Sequence, residues 1–416
     1  MSAEPTDVLV IGAGPAGLSA ARVLASRGIG KVLVVDREVE PGGIPQFCPH
    51  ATFGLSDYLR PMSGPNYARR LAARVDPELI RTGTTVTSIS SDLTVTLSSS
   101  QGEAEARPKR ILLATGIRET PRAARLVSGD RPLNVLTTGA LQRMVAESHS
   151  LPFRRPLIVG TELVSFSAVL TLRDCGVRAI AMIESAERIQ TLRPADTLTS
   201  VLLGTPLLIS RRVVSINAAR DDSSRLVSVT VMEGSGATSE IACDAVIFTG
   251  CFVPEASLLA TLPPDLTDTG SRGPAIDQAW RLAEPRLYAA GNVLRSVETA
   301  AWSAREGAAA ALAIADDLQQ RQPPPERRVP VLVADPVKLV TPAAIAVPGP
   351  RLGPLHMRLR MARTAIGRLT LAIDGKTIWT SRSLTAHPER RLHLTRELPD
   401  LGNAFGLTVG FEEATP

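Results

Sequence analysis

The sequence is short of cysteine, of aromatic residues and of long apolar runs, and each shortage removes a class of protein. Its four cysteines, Cys48, Cys175, Cys243 and Cys251, lie far apart and form no C-x-x-C pair. A disulfide framework, a four-thiolate metal centre and an iron–sulfur cluster on this chain are therefore not expected, and no metal ligands are assigned. Aromatic residues make up 3% of the 416 residues, so little is present to stack bases despite a net charge of +5. The arginine pairs (Arg69-Arg70, Arg154-Arg155, Arg211-Arg212, Arg327-Arg328, Arg390-Arg391) are scattered rather than gathered in a stripe, which argues against nucleic acid. No apolar run reaches the roughly 18 residues of a membrane span. Met1 to Thr6 has neither a basic nor an apolar leader region and runs straight into a strand, as expected of a cytoplasmic protein. What remains, 44% hydrophobic and 21% charged, is an ordinary globular composition long enough for two or three domains.

What the chain does contain begins at residue 7. Asp7 to Ile11 is an apolar strand leading into Gly12-Ala13-Gly14-Pro15-Ala16-Gly17, and an alanine-rich helix follows from Leu18 to Ser26. In such a G-x-G-x-x-G turn, Gly12 permits the tight bend, Gly14 lets a pyrophosphate approach the backbone, and Gly17 lets helix and strand pack closely. The phosphates then meet free N–H groups at the positive end of the helix. A second strand, Lys31 to Val35, ends at Asp36, a carboxylate at the spacing expected for bonding a ribose diol. Strand, turn, helix, strand and acid in that order point to a bound dinucleotide.

The unit does not continue as a simple alternation. Pro41-Gly42-Gly43 makes a loop, and Thr84 to Ile89 with Leu93 to Leu97 read as an inserted antiparallel meander. Arg110 to Gly116 is a buried strand ending in Ala-Thr-Gly, with a near copy at Ala245 to Gly250. Between them lies a second Rossmann-like start: strand Pro156 to Gly160, helix Leu163 to Leu172, and strand Arg178 to Ile183 ending at Glu184. Its turn reads Gly160-Thr161-Glu162-Leu163-Val164-Ser165, with glutamate and serine where the second and third glycines belong. A carboxylate there adds bulk and negative charge where a pyrophosphate would lie, so the fold is expected to survive and nicotinamide dinucleotide binding to be lost. Glu184 then reads as a remnant. A last strand, Pro285 to Ala290, ends in Gly291-Asn292 and precedes a helix from about Glu298 to Leu318.

This arrangement resembles the two-dinucleotide-binding-domain flavoproteins, the glutathione-reductase and thioredoxin-reductase superfamily, over about residues 5 to 320. The resemblance implies an α/β fold of two Rossmann-like domains, the second inserted in the first. FAD binding falls on 1–125 and 265–320, the second domain on 126–264. It implies FAD as cofactor, held by Gly12, Gly14 and Gly17 at the pyrophosphate and by Asp36 at the adenosine ribose, with Pro15, Ala16 and Arg37 also among the cofactor-binding residues. Gly42 and Gly43 match the loop along the cofactor, Val86 the position whose backbone meets adenine, and Thr115 and Gly116 the Ala-Thr-Gly segment. The closing motif usually ends Gly-Asp; here Gly291-Asn292 is expected to keep the ribitol contact without the charge. Glu298 and Thr299, at the start of the last helix, match the positions facing the flavin pyrimidine ring. Glu298 reads equally as plain stabilisation of the helix dipole.

Disulfide reductases of that superfamily carry a pair of cysteines in one of two places; here the first holds only Cys48 and the second only Cys175, so a dithiol relay is not expected. Thr115 to Arg122 and Asn134 to Gln142 are similar to the FAD-binding α-type subunits of the opine oxidase, hydrogen cyanide synthase and dye-linked proline dehydrogenase complexes. That implies oxidation of an amine- or amino-acid-type substrate alongside a β-type flavoprotein subunit, with any [2Fe–2S] cluster on a separate protein. A non-catalytic FAD-binding assembly or relay subunit, and an NAD(P)H-dependent flavin reductase, remain as alternatives. No catalytic residue is assigned. His50 falls where a histidine could exchange a proton, but it also reads as a loop histidine with no role, and Tyr58 and Tyr67 read as packing. Beyond a proline-rich linker from Gln319 to Arg328, residues 329–416 read as a small β domain, with an Asp374-Gly375 hairpin between strands. Its use is docking or plain stabilisation.

Overall fold

A computed structural model describes residues 4–190, 204–321, 324–348, 354–388 and 390–414; the middle of the proline-rich linker, 322–323, lies outside these. The chain forms two compact units. The first comprises residues 1–43, 68–117 and 253–416, and the second 44–67 and 118–252. Each carries a parallel Rossmann-like sheet, and the C-terminal strands belong to the first unit.

In the first unit the strands Ile80–Arg81, Val32–Val35, Glu4–Ile11 and Gly102–Leu113 lie side by side in that order, and Leu287–Ala289 pairs with the far side of Gly102–Leu113. All run parallel, an arrangement found with both faces of the sheet covered. Val8 to Ile11 and Ile111 to Leu113 are buried apolar runs because helices cover the sheet. Register fixes the site. Ile11 is level with both Val35 and Leu113, and Leu113 is level with Ala289. Gly12, Asp36, Ala114 and Ala290 therefore leave the sheet at one edge. The meander is present as strands Thr84–Ile89 and Val95–Ser99. The strand expected from Arg110 begins earlier, as one continuous element Gly102–Leu113 paired antiparallel to Val95–Ser99 along its first half.

The fingerprint helix Pro15–Ser26 packs on the closing helix Ala300–Leu318 through Gly307. A Cβ on that glycine would stand 1.9 Å from the Ala16 carbonyl oxygen, so only glycine permits the contact.

The C-terminal residues form two sheets around one core. One contains Ala344–Val347, Arg327–Val333, Leu407–Glu413, Ala365–Ile373 and Lys376–Thr380, and the other Val337–Thr341, Leu355–Met361 and Leu392–Arg396. Asp374 and Gly375 both have positive φ, +49° and +81°, matching the expected hairpin turn. Hydrogen bonds tie this domain to the nucleotide domain: Ala343 N donates to Ile276 O at 2.9 Å, and the Ala346 backbone exchanges two bonds with the Gln278 side-chain amide.

In the second unit, Leu207–Leu208, Ala181–Ile183, Pro156–Val159, Ala245–Phe248 and Val135–Thr137 form a parallel sheet with helix Leu163–Asp174 against it. The strand expected from Arg178 begins only at Ala181. A second, antiparallel sheet of Arg211–Ala218, Leu226–Glu233 and Thr238–Ala242 completes the unit.

Candidate functional site

The edge where the first unit's strands end is built for close approach. Gly12 has φ +108°, and a Cβ there would lie 2.5 Å from Ala114 O, so the turn and the Ala-Thr-Gly segment touch. Gly17 meets the Gly12 carbonyl with the same intimacy, 1.8 Å from a would-be Cβ. Gly14 differs: the nearest atom to its Cβ position is Gly43 Cα at 3.8 Å. Space in front of the helix start is therefore open, and Gly14 caps that start with no side chain over it. The loop after Asp36 closes one wall, with Gly42 N donating to Ala13 O at 2.8 Å. Gly116 is likewise open, with nothing within 4 Å of its Cβ position.

Asp36 is held rigidly. Its Oδ2 accepts from Ala13 N at 2.6 Å and its Oδ1 from Glu38 N at 2.9 Å, which leaves a lone pair on each oxygen for a hydroxyl. Burial raises its carboxyl above the usual range, opposed by those two N–H groups. Arg37 points outward, its nearest acid Glu38 at 3.8 Å. Val86 pairs with Leu97 and packs on the sheet core. Thr115 Oγ1 donates to Glu255 O at 2.6 Å, which spends its hydroxyl hydrogen inside the protein.

The closing motif holds the detail that sequence reasoning missed. Asn292 Oδ1 accepts from Glu298 N at 2.6 Å while its Nδ2 donates to Glu298 O at 3.1 Å. An aspartate could make only the first bond, so the amide suits this loop better than the usual acid. Gly291 N donates to Glu306 Oε2 at 3.1 Å, and Glu306 Oε1 receives Trp302 Nε1 at 3.2 Å together with the guanidiniums of Arg295 and Arg358. Glu298 is paired with Arg295, 3.3 Å away, and with Arg391. Its side chain is thus committed within the protein. Thr299 caps the closing helix by accepting from Trp302 N at 3.3 Å. The legible signal for Glu306 was its place on the buried stripe Ser303, Glu306, Gly307, Ala310, Ala311, where a charge needs a partner.

A family model described as pyridine nucleotide-disulphide oxidoreductase matches residues 6–307. The chain belongs to the pyridine nucleotide-disulphide oxidoreductase family. Members are flavin-dependent oxidoreductases of the Rossmann type, the class expected from the fingerprint. The chain is 32% identical over 186 residues to the A-type subunit of opine oxidase from Rhizobium meliloti (strain 1021), a match covering 43% of this chain and 39% of that one. It thus aligns with about two fifths of that relative's length. The fold is similar to thioredoxin reductase of T. acidophilum (TM-score 0.62, 20% identity, 76% of this chain and 99% of that one). It is also similar to L-proline dehydrogenase of P. horikoshii (TM-score 0.57, 16% identity, 76% and 56%).

Against that family pattern the second unit's turn is occupied by its own side chain. The Glu162 carboxylate lies over the turn's one glycine, 2.6 Å from a would-be Cβ on Gly160, and over the end of the neighbouring strand segment, 2.2 Å from a would-be Cβ on Gly250. It accepts from Ser165 Oγ and Thr249 Oγ1, both at 3.2 Å, and burial raises its pKa. Glu184 is buried and accepts from Thr161 Oγ1 at 2.5 Å and Ala186 N at 2.9 Å. The disulphide half of the family name finds no dithiol. Cys48 is buried, with its thiol pushed up to about 12, and all four cysteines are free. His50 uses both ring nitrogens, on Ser167 Oγ and, at 2.8 Å, Thr52 Oγ1, and burial lowers its pKa. Tyr67 donates to Asp57 Oδ2 at 2.6 Å and packs edge-on to Tyr58. Among the described residues no His, Cys, Asp and Glu group could hold a metal, and no helix is long and apolar enough to cross a membrane.

Proposed function

We propose that the chain is an FAD-dependent oxidoreductase that does not take electrons from NAD(P)H. In this reading it oxidises an amine- or amino-acid-type substrate, or relays that substrate's electrons, inside a hetero-oligomeric complex. The observation that carries the reading is the contrast between two turns of the same design: Gly14 faces open space, whereas the matching position in the second unit carries Glu162 folded over Gly160 and Gly250. The first turn fits the pyrophosphate of FAD because a Cβ at Gly14 would be the first atom to enter that space. Asp36 retains a lone pair on each oxygen for the adenosine ribose, while Gly291 and Asn292 form the backbone wall on the ribitol side. Gly12, Pro15, Ala16, Gly17, Gly42, Gly43, Thr115 and Gly116 frame the site, with Val86 at the adenine and Arg37, Glu298 and Thr299 at its margins. Bound there, FAD supplies two-electron redox chemistry. The protein orients it through backbone N–H groups and the helix dipole.

Two single cysteines cannot form the disulfide of a dithiol relay, and this reading excludes disulfide reduction by this chain. Partner proteins, a β-type flavoprotein and a [2Fe–2S] protein, supply what this chain lacks. A second reading, an assembly or relay component with no substrate of its own, is favoured by His50, whose two ring nitrogens are both engaged within the protein.

Anaerobic spectrophotometry separates these. The purified protein is mixed with NADH, NADPH and a panel of opines, amino acids and secondary amines while flavin absorbance is followed. Bleaching by an amine-type compound is expected. Bleaching by NADH or NADPH would sink the proposal, and bleaching that needs a co-expressed partner protein would select the second reading.

A further inference from the structure

The loop between the closing motif and the closing helix is a ring closed by one side chain. Asn292 and Glu298 are six residues apart, yet the Asn292 amide takes both main-chain groups of Glu298. Its Oδ1 accepts from Glu298 N at 2.6 Å and its Nδ2 donates to Glu298 O at 3.1 Å. Both ends of the ring are fixed independently. At the first, Gly291 (φ +83°) lies so close to the fingerprint helix that a Cβ there would stand 2.9 Å from Ala16 Cβ, and its N–H is held by Glu306. At the second, the buried Glu298 side chain is paired with Arg295 and with Arg391 of the C-terminal domain. Within the ring, the carbonyls of Val293 and Leu294 press on Gly273, 2.3 and 2.7 Å from a would-be Cβ.

Thr299, next after Glu298, caps the closing helix. The Asn292 amide thus sets where that helix starts relative to the glycine beside the fingerprint turn. A side chain clamped at both ends of its amide cannot swing toward a ligand without breaking those bonds, which leaves main-chain groups of a buried residue unpaired.

We propose that Asn292 is a positioning residue of the FAD site: its amide locks the loop that leads into the closing helix, and the main chain of that loop, rather than the Asn292 side chain, meets the cofactor. This rests on the FAD reading above and departs from the side-chain contact with the ribitol expected of the motif. An ionised acid at this position has no hydrogen for Glu298 O and sets two oxygens against each other. The acid usual in the motif is therefore harmful here.

The test is the FAD dissociation constant of wild type, Asn292→Asp and Asn292→Ala, read from flavin fluorescence as flavin-free protein is titrated with FAD. At about pH 8, Asn292→Asp is expected to bind FAD about tenfold more weakly than wild type, through loss of one main-chain hydrogen bond. Facing a carbonyl oxygen raises the pKa of the introduced carboxyl, and once protonated it donates to Glu298 O while accepting from Glu298 N, as the amide does. Its deficit against wild type is therefore expected to shrink at about pH 5, whereas that of Asn292→Ala stays the same. The surrounding Glu298, Glu306, Arg295, Arg358, Arg360, Arg391 and His393 are shared with wild type, so the ratio isolates the new carboxyl. Circular dichroism checks the flavin-free proteins, and a variant that does not fold without FAD is compared by its rate of FAD release, with the same ordering expected. Wild-type affinity in Asn292→Asp at pH 8, or a deficit as large at pH 5, would overturn the proposal and return the side chain to direct contact. A wild-type protein that binds no FAD would instead refute the FAD reading, so the two failures are distinguishable.

Discussion

Replacing Gly307 by alanine tests the architecture of the cofactor site through a sign that two physical effects dispute. Helix propensity favours the substitution: alanine in a helix interior is better than glycine by about 1 kcal/mol. Packing opposes it. The added Cβ would stand 1.9 Å from Ala16 O, 2.6 Å from Ala16 C and 2.7 Å from Ala16 Cα, all backbone atoms that no rotamer change can move. Ordinary contact begins near 3.4 Å, so the closing and fingerprint helices must part by about 1.5 Å. Overpacking of this kind costs about 1–3 kcal/mol, and a backbone clash belongs at the upper end, for a net loss of about 2 kcal/mol. Ala16 lies in the fingerprint turn itself, so the displacement also moves the N–H groups proposed above to hold the pyrophosphate. The assay is denaturant unfolding together with the FAD-to-chain ratio after dialysis. Ala308→Gly, one residue on, serves as control and is expected to lose only the propensity difference of about 1 kcal/mol while keeping its FAD. A Gly307→Ala protein as stable as wild type, with its flavin retained, would refute the reasoning.

Two further outcomes follow from buried groups. Burial holds the Glu162 carboxyl above its usual range, so its ionised form is disfavoured in the fold; the stability it contributes is full at low pH and lost as pH rises through its folded pKa. Glu162→Gln is therefore expected to raise the thermal midpoint at about pH 8 and to match wild type below about pH 4, and an equal gain at both would contradict the burial argument. Among the thiols, Cys251 is exposed, whereas Cys48 and Cys243 are buried and pushed up to about 12. An aromatic disulfide reagent at about pH 8 is expected to label Cys251 quickly and Cys48 only after unfolding; peptide mapping that finds Cys48 labelled at the Cys251 rate would remove the case against a reactive thiol.

The parts of the fold that were legible in the sequence are those where a local rule fixes the residue. The fingerprint turn, Asp36 and the meander are written in short-range spacing, because a tight turn or a ribose-bonding acid constrains neighbours along the chain. Glu162 was readable for the same reason, as a departure at a position where only glycine leaves room. The contacts that were not legible join residues far apart. Nothing near Arg358 or Arg391 in sequence announces that they pair with Glu306 and Glu298, more than fifty residues earlier. The placement of 44–67 with the second unit is likewise a matter of tertiary contact. The role of Asn292 was half legible: an amide for an acid was visible, but its second bond to Glu298 O appears only once the loop is folded. Of strand Gly102–Leu113 only the part from Arg110 was read, because Pro108 and the charges around it interrupt the apolar pattern, while pairing with Glu4–Ile11 carries the strand through.

In the proposed function one dinucleotide site works and the other is closed by its own side chain. Acid release of bound nucleotide from the purified protein, with chromatographic identification and chain quantification, tests it directly. One FAD per chain and no nicotinamide nucleotide, even after purification in excess NADH, is the expected result. A protein without FAD, or one carrying FAD and a nicotinamide dinucleotide together, would contradict it.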